Sequence, residues 1–153
     1  MATTTAQLTI NSSDLTSDAL ALSNTTTLNA AGVATGLSQV EGVARKRLAG
    51  DSSNKLNYVI ADASDAKFTE DGAHKVYIKN LSTSAAEYLT VLVGVDNGNN
   101  NGTYTGVELG RLYGGDFMFI PWSADTDGTD SDILIQTPAN SLNQEVEYLI
   151  IFE

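Results

Sequence analysis

Four aspartates, Asp125, Asp127, Asp130 and Asp132, surround Gly128 in the stretch SADTDGTDSD. Alternating carboxylates about a glycine turn are the hard oxygen donors that calcium takes. The spacing departs from an EF-hand loop, which needs glycine at its sixth position and glutamate at its twelfth. A solvated polar hairpin loop fits it better, and no metal is assigned. The single histidine, His74, follows EDGA, where Glu70 or Asp71 is near enough in sequence to pair with it. One imidazole cannot make a multi-histidine metal centre, and a chain without cysteine has no thiol nucleophile, thiolate site or disulfide. The 19 acids include no carboxylate pair whose context singles it out for glycoside hydrolysis. Neither the dinucleotide fingerprint nor the phosphate-loop motif is present. These residues point away from an enzyme and away from a bound cofactor. The sequons at Asn24, Asn80 and Asn101 follow from a composition rich in Asn, Ser and Thr.

Residue types suited to contact are clearer. Arg45, Lys46 and Arg47 form the one basic cluster of a chain with formal net charge -11. The first 44 residues hold no Lys or Arg, and none follows Arg111. A basic middle between acidic ends suits an acidic partner surface or a head-to-tail contact with a sister chain. The overall charge repels phosphate, so nucleic acid is not an expected partner. The run FMFIPW, residues 117–122, holds the only Trp and two of the four Phe. It falls well short of the roughly 18 apolar residues of a membrane span, so no membrane is expected. It reads as a strand apolar on both faces, ending or reaching a sheet edge at Pro121. Its second face needs cover from another segment or chain, which makes Phe117, Phe119 and Trp122 contact candidates.

The elements that must hold these residues are extended throughout. The Thr- and Ser-rich start alternates at Leu8 and Ile10 and again at Leu20 and Leu22. It is too poor in large apolar residues to form more than weak strands alone, so residues 1–35 read as an extended arm that needs a neighbour. Those four aliphatics are its contact candidates. Residues 37–49 admit two readings. Ser38 and Glu41 fit a helix capping box, whereas Gly42 and Gly50 favour strand or loop. From Leu56 the pattern is β. Leu56, Tyr58 and Ile60 share a face, as do Val76 and Ile78, then Leu89, Val91, Val93 and Val95, and finally Val146, Tyr148, Ile150 and Phe152. Val107, Leu109 and Leu112 alternate with a slip that predicts a bulge. Gly- and Asn-rich turns separate the runs. The expected fold is all-β, a sandwich or jelly roll over 36–153 with an extended N-terminal arm. The start MATTTAQLTI lacks the basic and apolar segments of a secretory signal, so synthesis in a cytoplasm is expected.

Three phrases together carry a resemblance: LALSNTTTLNAAGVATGLSQVEGVARK, HKVYIKNLSTSAAEYLTV, and GRLYGGDFMFIPWSAD ahead of VEYLIIFE. In wording and order they resemble small virion structural proteins of tailed phages, especially marine cyanophages. The resemblance spans most of the chain and rests on no catalytic motif. It implies a β-sandwich with an extended arm that decorates or cements the capsid exterior. The implied partners are the major capsid protein and sister chains in a small oligomer, a trimer being favoured, and the implied location is the virion. A ligand of the assembled shell alone would stabilise that shell by mass action. Two other roles are open: a tail or fibre module, and a carbohydrate-binding sandwich in which Tyr104, Tyr113 and Trp122 would stack on sugar.

Overall fold

The computed structural model describes residues 3–13, 19–33, 35–37, 39–97, 102–125 and 131–153. Eleven strands are described: β1 (Thr5–Ser12), β2 (Leu20–Thr27), β3 (Gln39–Val40), β4 (Ala44–Leu48), β5 (Leu56–Ala61), β6 (His74–Asn80), β7 (Tyr88–Asp96), β8 (Tyr104–Tyr113), β9 (Phe117–Trp122), β10 (Asp132–Thr137) and β11 (Gln144–Phe152). All strand pairings are antiparallel. One sheet runs β4-β11-β6-β9, with β3 continuing the line of β4 along β11, and the other runs β5-β10-β7-β8. Numbered from β4, these orders are first-eighth-third-sixth and second-seventh-fourth-fifth. That is the strand order of an eight-stranded jelly roll, two interleaved Greek keys.

Period-2 alternation explains how each strand faces the core. Along β6, His74, Val76, Ile78 and Asn80 are buried while Lys75, Tyr77 and Lys79 turn outward. Leu89 and Val91 from β7, Ile133 and Ile135 from β10, and Val146 and Ile150 from β11 meet Val76 and Ile78 between the sheets. The expected bulge falls in β8, where the register slips so that Leu109 has no partner between Gly110 and Glu108. Strand β10 departs from simple alternation. Ile133 through Thr137 are all buried, because the strand is central in its sheet and carries Leu134 and Gln136 on the outer side. There Gln136 Nε2 donates to the Asn57 side chain at 2.9 Å and to the Gly102 carbonyl at 2.8 Å, which covers part of that face.

Among the described residues of 37–49 there is no helix, only the short strands β3 and β4. Gly42, at φ +83°, breaks the line between β3 and β4, a backbone setting that favours glycine. Long-range pairing with β11 outweighs the local capping pattern, and Glu41 pairs with the Lys67 amine instead of closing a helix start. Strands β1 and β2 pair with each other over eight positions, from Thr5 with Thr27 to Ser12 with Leu20, as a separate two-stranded hairpin. Leu28 and Leu37 are buried at its base, where Leu28 N donates to the Thr4 carbonyl at 2.9 Å and Leu37 N to the Leu28 carbonyl at 2.9 Å.

Candidate functional site

The GGDFMFIPW stretch shows how sequence places a surface. Gly114, Gly115 and Asp116 carry the chain from β8 in one sheet to β9 in the other. Asp116 N donates to the Tyr113 carbonyl at 2.8 Å, and Gly115 takes φ +90°. Asn80 N donates to the Asp116 carbonyl at 3.0 Å, which fixes where β9 starts beside β6. Strand β9 is the edge of its sheet and ends one residue after Pro121. Parity then divides its side chains. Met118, Ile120 and Trp122 turn to the core; Phe117 and Phe119 turn outward and remain 58% and 38% exposed.

Trp122 is therefore not a contact residue. It is 6% exposed, packs edge-on against Phe68 with centroids 4.9 Å apart, and donates its indole N–H to the Ser131 carbonyl at 2.6 Å. The same parity splits the basic cluster. Arg45 and Arg47 face outward on β4, while Lys46 turns the other way, its amine 5.6 Å from the centre of the Tyr58 ring. Arg45 pairs with Glu147 across the strands at 2.9 Å, and Arg47 stands in register with Glu145.

The outer side of this sheet thus gathers Phe117 and Phe119 from β9, Lys75, Tyr77 and Lys79 from β6, and Arg45 and Arg47 from β4. The Tyr77 and Phe117 rings lie 6.2 Å apart. Partial burial, with Glu147 nearby, pushes the Tyr77 hydroxyl above its ordinary pKa. Burial also holds Lys75 below the usual lysine range, against the opposing pull of Glu153. Tyr, Phe and Arg, three of the residue types on this face, are enriched at protein contact surfaces in general.

The hairpin lies over part of this face. Ala6, Leu8 and Thr26 form one wall of a cleft of about 630 Å³, and Tyr77, Phe117 and Phe119 form the other. The hairpin register places Ala6, Leu8 and Ile10 on the same side as Leu20, Leu22, Asn24 and Thr26, while Gln7, Thr9, Ser23 and Thr25 take the opposite side. The hairpin is amphipathic, and Leu8, Ile10, Leu20 and Leu22 are each 37% to 46% exposed. Its base is tied down by the Glu153 side chain, which accepts from Ala31 N at 3.2 Å and from Ala73 N at 2.8 Å. Leu8, Phe117 and Phe119 thus meet in one cleft, whereas Ile10, Leu20 and Leu22 continue the apolar row beyond it.

The other sequence candidates fall elsewhere. Asp127 and Asp130 lie outside the described residues. Asp132 faces away from a loop site, accepting from Ala63 N at 2.8 Å, and Asp125 N donates to Ser131 Oγ at 3.1 Å. Among the described residues, no group of three or more carboxylates and histidines is placed to hold a metal ion. His74 is sealed among Phe68, Trp122 and Phe152, with Nε2 donating to the Thr69 carbonyl at 3.0 Å, out of reach of any substrate. Tyr113 is exposed and Tyr104 half-buried. Asn80 is fully buried, so its sequon cannot take a glycan; Asn24 is exposed on β2, and Asn101 lies outside the described residues. No described helix is long and apolar enough to cross a membrane.

No family model matches this chain, and no curated protein does. Among solved structures it is similar to the crystal structure of Yersinia pseudotuberculosis-derived mitogen, with TM-score 0.40 and 11% identity over 73% of this chain and 86% of that one. A likeness at that level carries no argument about function.

Proposed function

We propose that the chain is a structural protein of a phage virion that decorates or cements the capsid exterior, docking through its N-terminal hairpin on the coat protein and on sister chains. The observation that carries this reading is the open apolar side of the hairpin, set beside the aromatic and basic outer face of the β4-β11-β6-β9 sheet. A two-stranded hairpin alone is marginal in water. Displaying four half-exposed aliphatics on such an element makes sense where a partner covers them. The resemblance of the LALSNTTTL, HKVYIKNL and GGDFMFIPW phrases to phage virion proteins names the partner, and jelly rolls recur in capsid proteins. The role needs no chemistry. Binding the assembled shell in preference to free coat protein stabilises the shell by linkage.

The test is co-sedimentation with purified shells. Deleting residues 3–27 removes β1 and β2 and keeps Leu28, which the body buries. The deleted chain is expected to fold and to lose shell binding; undiminished binding would remove the hairpin from the mechanism. Attachment to tails and not to shells would favour the fibre role. The carbohydrate-binding alternative keeps one observation: half-buried Tyr88 at the start of β7 and exposed Tyr113 at the end of β8 lie 5.6 Å apart, with the Arg111 guanidinium 4.6 Å over Tyr88. Saturable glycan binding abolished by Tyr113→Ala would put that reading first.

A further inference from the structure

We infer that the chain carries a binding site for a neutral sugar, in the polar cleft between the start of β11 and the turn that joins β6 to β7. The site is independent of the virion role, since neither the hairpin nor β9 lines it. The cleft holds about 350 Å³, within the range of small-molecule sites. Gln144 lines it from β11, Ser82 and Glu87 from the turn, and Arg47 from β4.

The frame of the cleft is fixed by hydrogen bonds. Ser82 N donates to Oδ1 of the buried Asn80 at 2.9 Å, and Ser84 N donates to Ser82 Oγ at 3.1 Å. The Ser82 hydroxyl in turn donates to the Glu87 carboxylate. Leu81 N donates to the Glu145 carbonyl at 2.9 Å, which joins the turn to β11. Gly50 N donates to Asn143 Oδ1 at 3.0 Å and holds the residue ahead of Gln144. Two groups on this frame lack protein partners. Gln144 is 3% exposed, yet its Oε1 has no hydrogen-bond partner. Arg47 stands in register with Glu145 but, among the described residues, is in no ion pair, unlike Arg45 with Glu147. A buried amide oxygen left unpaired costs stability, and such a group at the lining of a cleft points to a ligand that completes it.

The chemistry of the lining selects that ligand. A guanidinium only donates hydrogen bonds and an ionised carboxylate only accepts them. Arg47 beside Glu87 and Glu145 is matched by neighbouring groups that each donate and accept, and a hydroxyl does both. Vicinal hydroxyls of a sugar ring supply such a pair, and a further hydroxyl supplies the donor that Gln144 Oε1 lacks. The two carboxylates outnumber the one guanidinium, which disfavours phosphates and acidic sugars. Leu81 is the one apolar residue of the lining, so a hydrophobic ligand gains little there. Aromatic rings adjoin the same turn. Tyr88 follows Glu87 directly, and a Cβ on Gly114, next to Tyr113, would lie 2.3 Å from the Ser84 carbonyl oxygen. Flat rings beside a polar cleft suit a sugar, whose ring carries a C–H face as well as hydroxyls.

Titration of the isotope-labelled full chain with glucose, galactose, mannose and N-acetylglucosamine, read by NMR, tests this. At least one sugar is expected to shift the amides of Ser82, Thr83, Gln144 and Glu145 saturably while leaving those of β1 and β2 in place. Arg47→Ala and Glu87→Gln are expected to weaken that binding about tenfold or more, as loss of a charged hydrogen bond does. Gln144→Leu is expected to abolish binding and to raise the thermal midpoint, because it removes the unpaired amide. The site is overturned if none of these sugars shifts those amides at about 0.1 M, where even weak affinity shows. It is equally overturned if both the Arg47 and Glu87 variants bind as wild type does, or if glycine shifts the amides and no sugar does. Binding lost in Tyr113→Ala but intact in Arg47→Ala would move the sugar to the tyrosine pair and remove it from the cleft.

Discussion

Strands β2 and β6 are eight and seven residues long, yet every residue of β2 is exposed while β6 buries every second one. Both are antiparallel, and both place aliphatic residues on one side. The difference is what lies across from that side. Val76 and Ile78 meet the opposing sheet, whereas Leu20 and Leu22, with the same kind of side chain, lie outside the core and stay 37% and 46% exposed. A strand's stability is thus set by its neighbours far more than by its own residues. The jelly roll folds against itself, and the hairpin leaves its aliphatic side half-exposed.

Within β9 the contrast is sharpest, and the largest expected effect lies there. Trp122→Ala removes a core ring and the indole donor to Ser131, and should cost about 3–5 kcal/mol in urea unfolding. Phe119→Ala, three residues earlier and outward, should cost under about 1 kcal/mol. Equal losses at the two sites would erase the distinction between core face and contact face. Asn80→Ala ranks next. Its Nδ2 donates to the Leu112 carbonyl at 3.0 Å and its Oδ1 accepts from Ser82 N at 2.9 Å, tying β6 to β8 across the sandwich. Leaving those buried groups unpaired should lower stability by about 1–3 kcal/mol, read in the same titration.

Much of the body was legible from alternation, because a face that must be dry repeats every second residue. HKVYIKN and EVEYLIIF show that pattern plainly, and both are central strands facing the core. Grouping Phe117, Phe119 and Trp122 as contacts ignored the same rule, since an odd separation sends Trp122 to the opposite side. Arg45, Lys46 and Arg47 divide for that reason too. Other features could not be read locally. The pairing of β4 with β11 joins residues about 100 apart in sequence and defeats a capping box that looks sound within its own window. The hairpin register of the arm, which puts Leu8, Ile10, Leu20 and Leu22 on one side, depends on a turn whose length the Thr-rich sequence does not announce.

The pH response of the body separates buried charge from surface charge. Burial raises the Asp132 carboxyl above its ordinary 3.8, with nearby Asp62 adding to the rise and the Ala63 N–H opposing it. The folded chain then holds this proton more tightly than the unfolded chain does. Its contribution to stability therefore falls as pH climbs from about the ordinary aspartate value through the raised one, and at neutral pH the carboxylate is a net cost. Asp132→Asn keeps an oxygen for the Ala63 N–H and is expected to raise the thermal midpoint at pH 7 relative to wild type. The gain should vanish as pH approaches the ordinary aspartate value. A lower midpoint at pH 7 would mean that ionised Asp132 is favourably held, and would reverse the sign. Asp51, whose carboxylate accepts from Ser53 N and Asn54 N, has its pKa lowered by those bonds and should respond in the opposite direction.

The smallest effect on global stability belongs to the hairpin, and its smallness is informative. Leu22→Ala removes an apolar side chain that lies outside the core and is 46% exposed, so unfolding should shift by no more than about 0.5 kcal/mol. Hydrogen exchange adds the local view. Amides paired between β1 and β2 should exchange far faster than those of β6, because opening the hairpin exposes little that is buried and leaves the sandwich whole. Glu153→Gln, which weakens the acceptor holding Ala31 N and Ala73 N, should speed exchange at the hairpin base without touching β6 or β11 protection. Docking on a partner reverses this order: once Leu20 and Leu22 are covered, the hairpin amides slow, and Leu22→Ala becomes costly to assembly while remaining nearly silent in the monomer. If exchange in free hairpin amides were instead as slow as in β6, the ribbon would already be fully supported by its own body and would have no apolar surface left to offer.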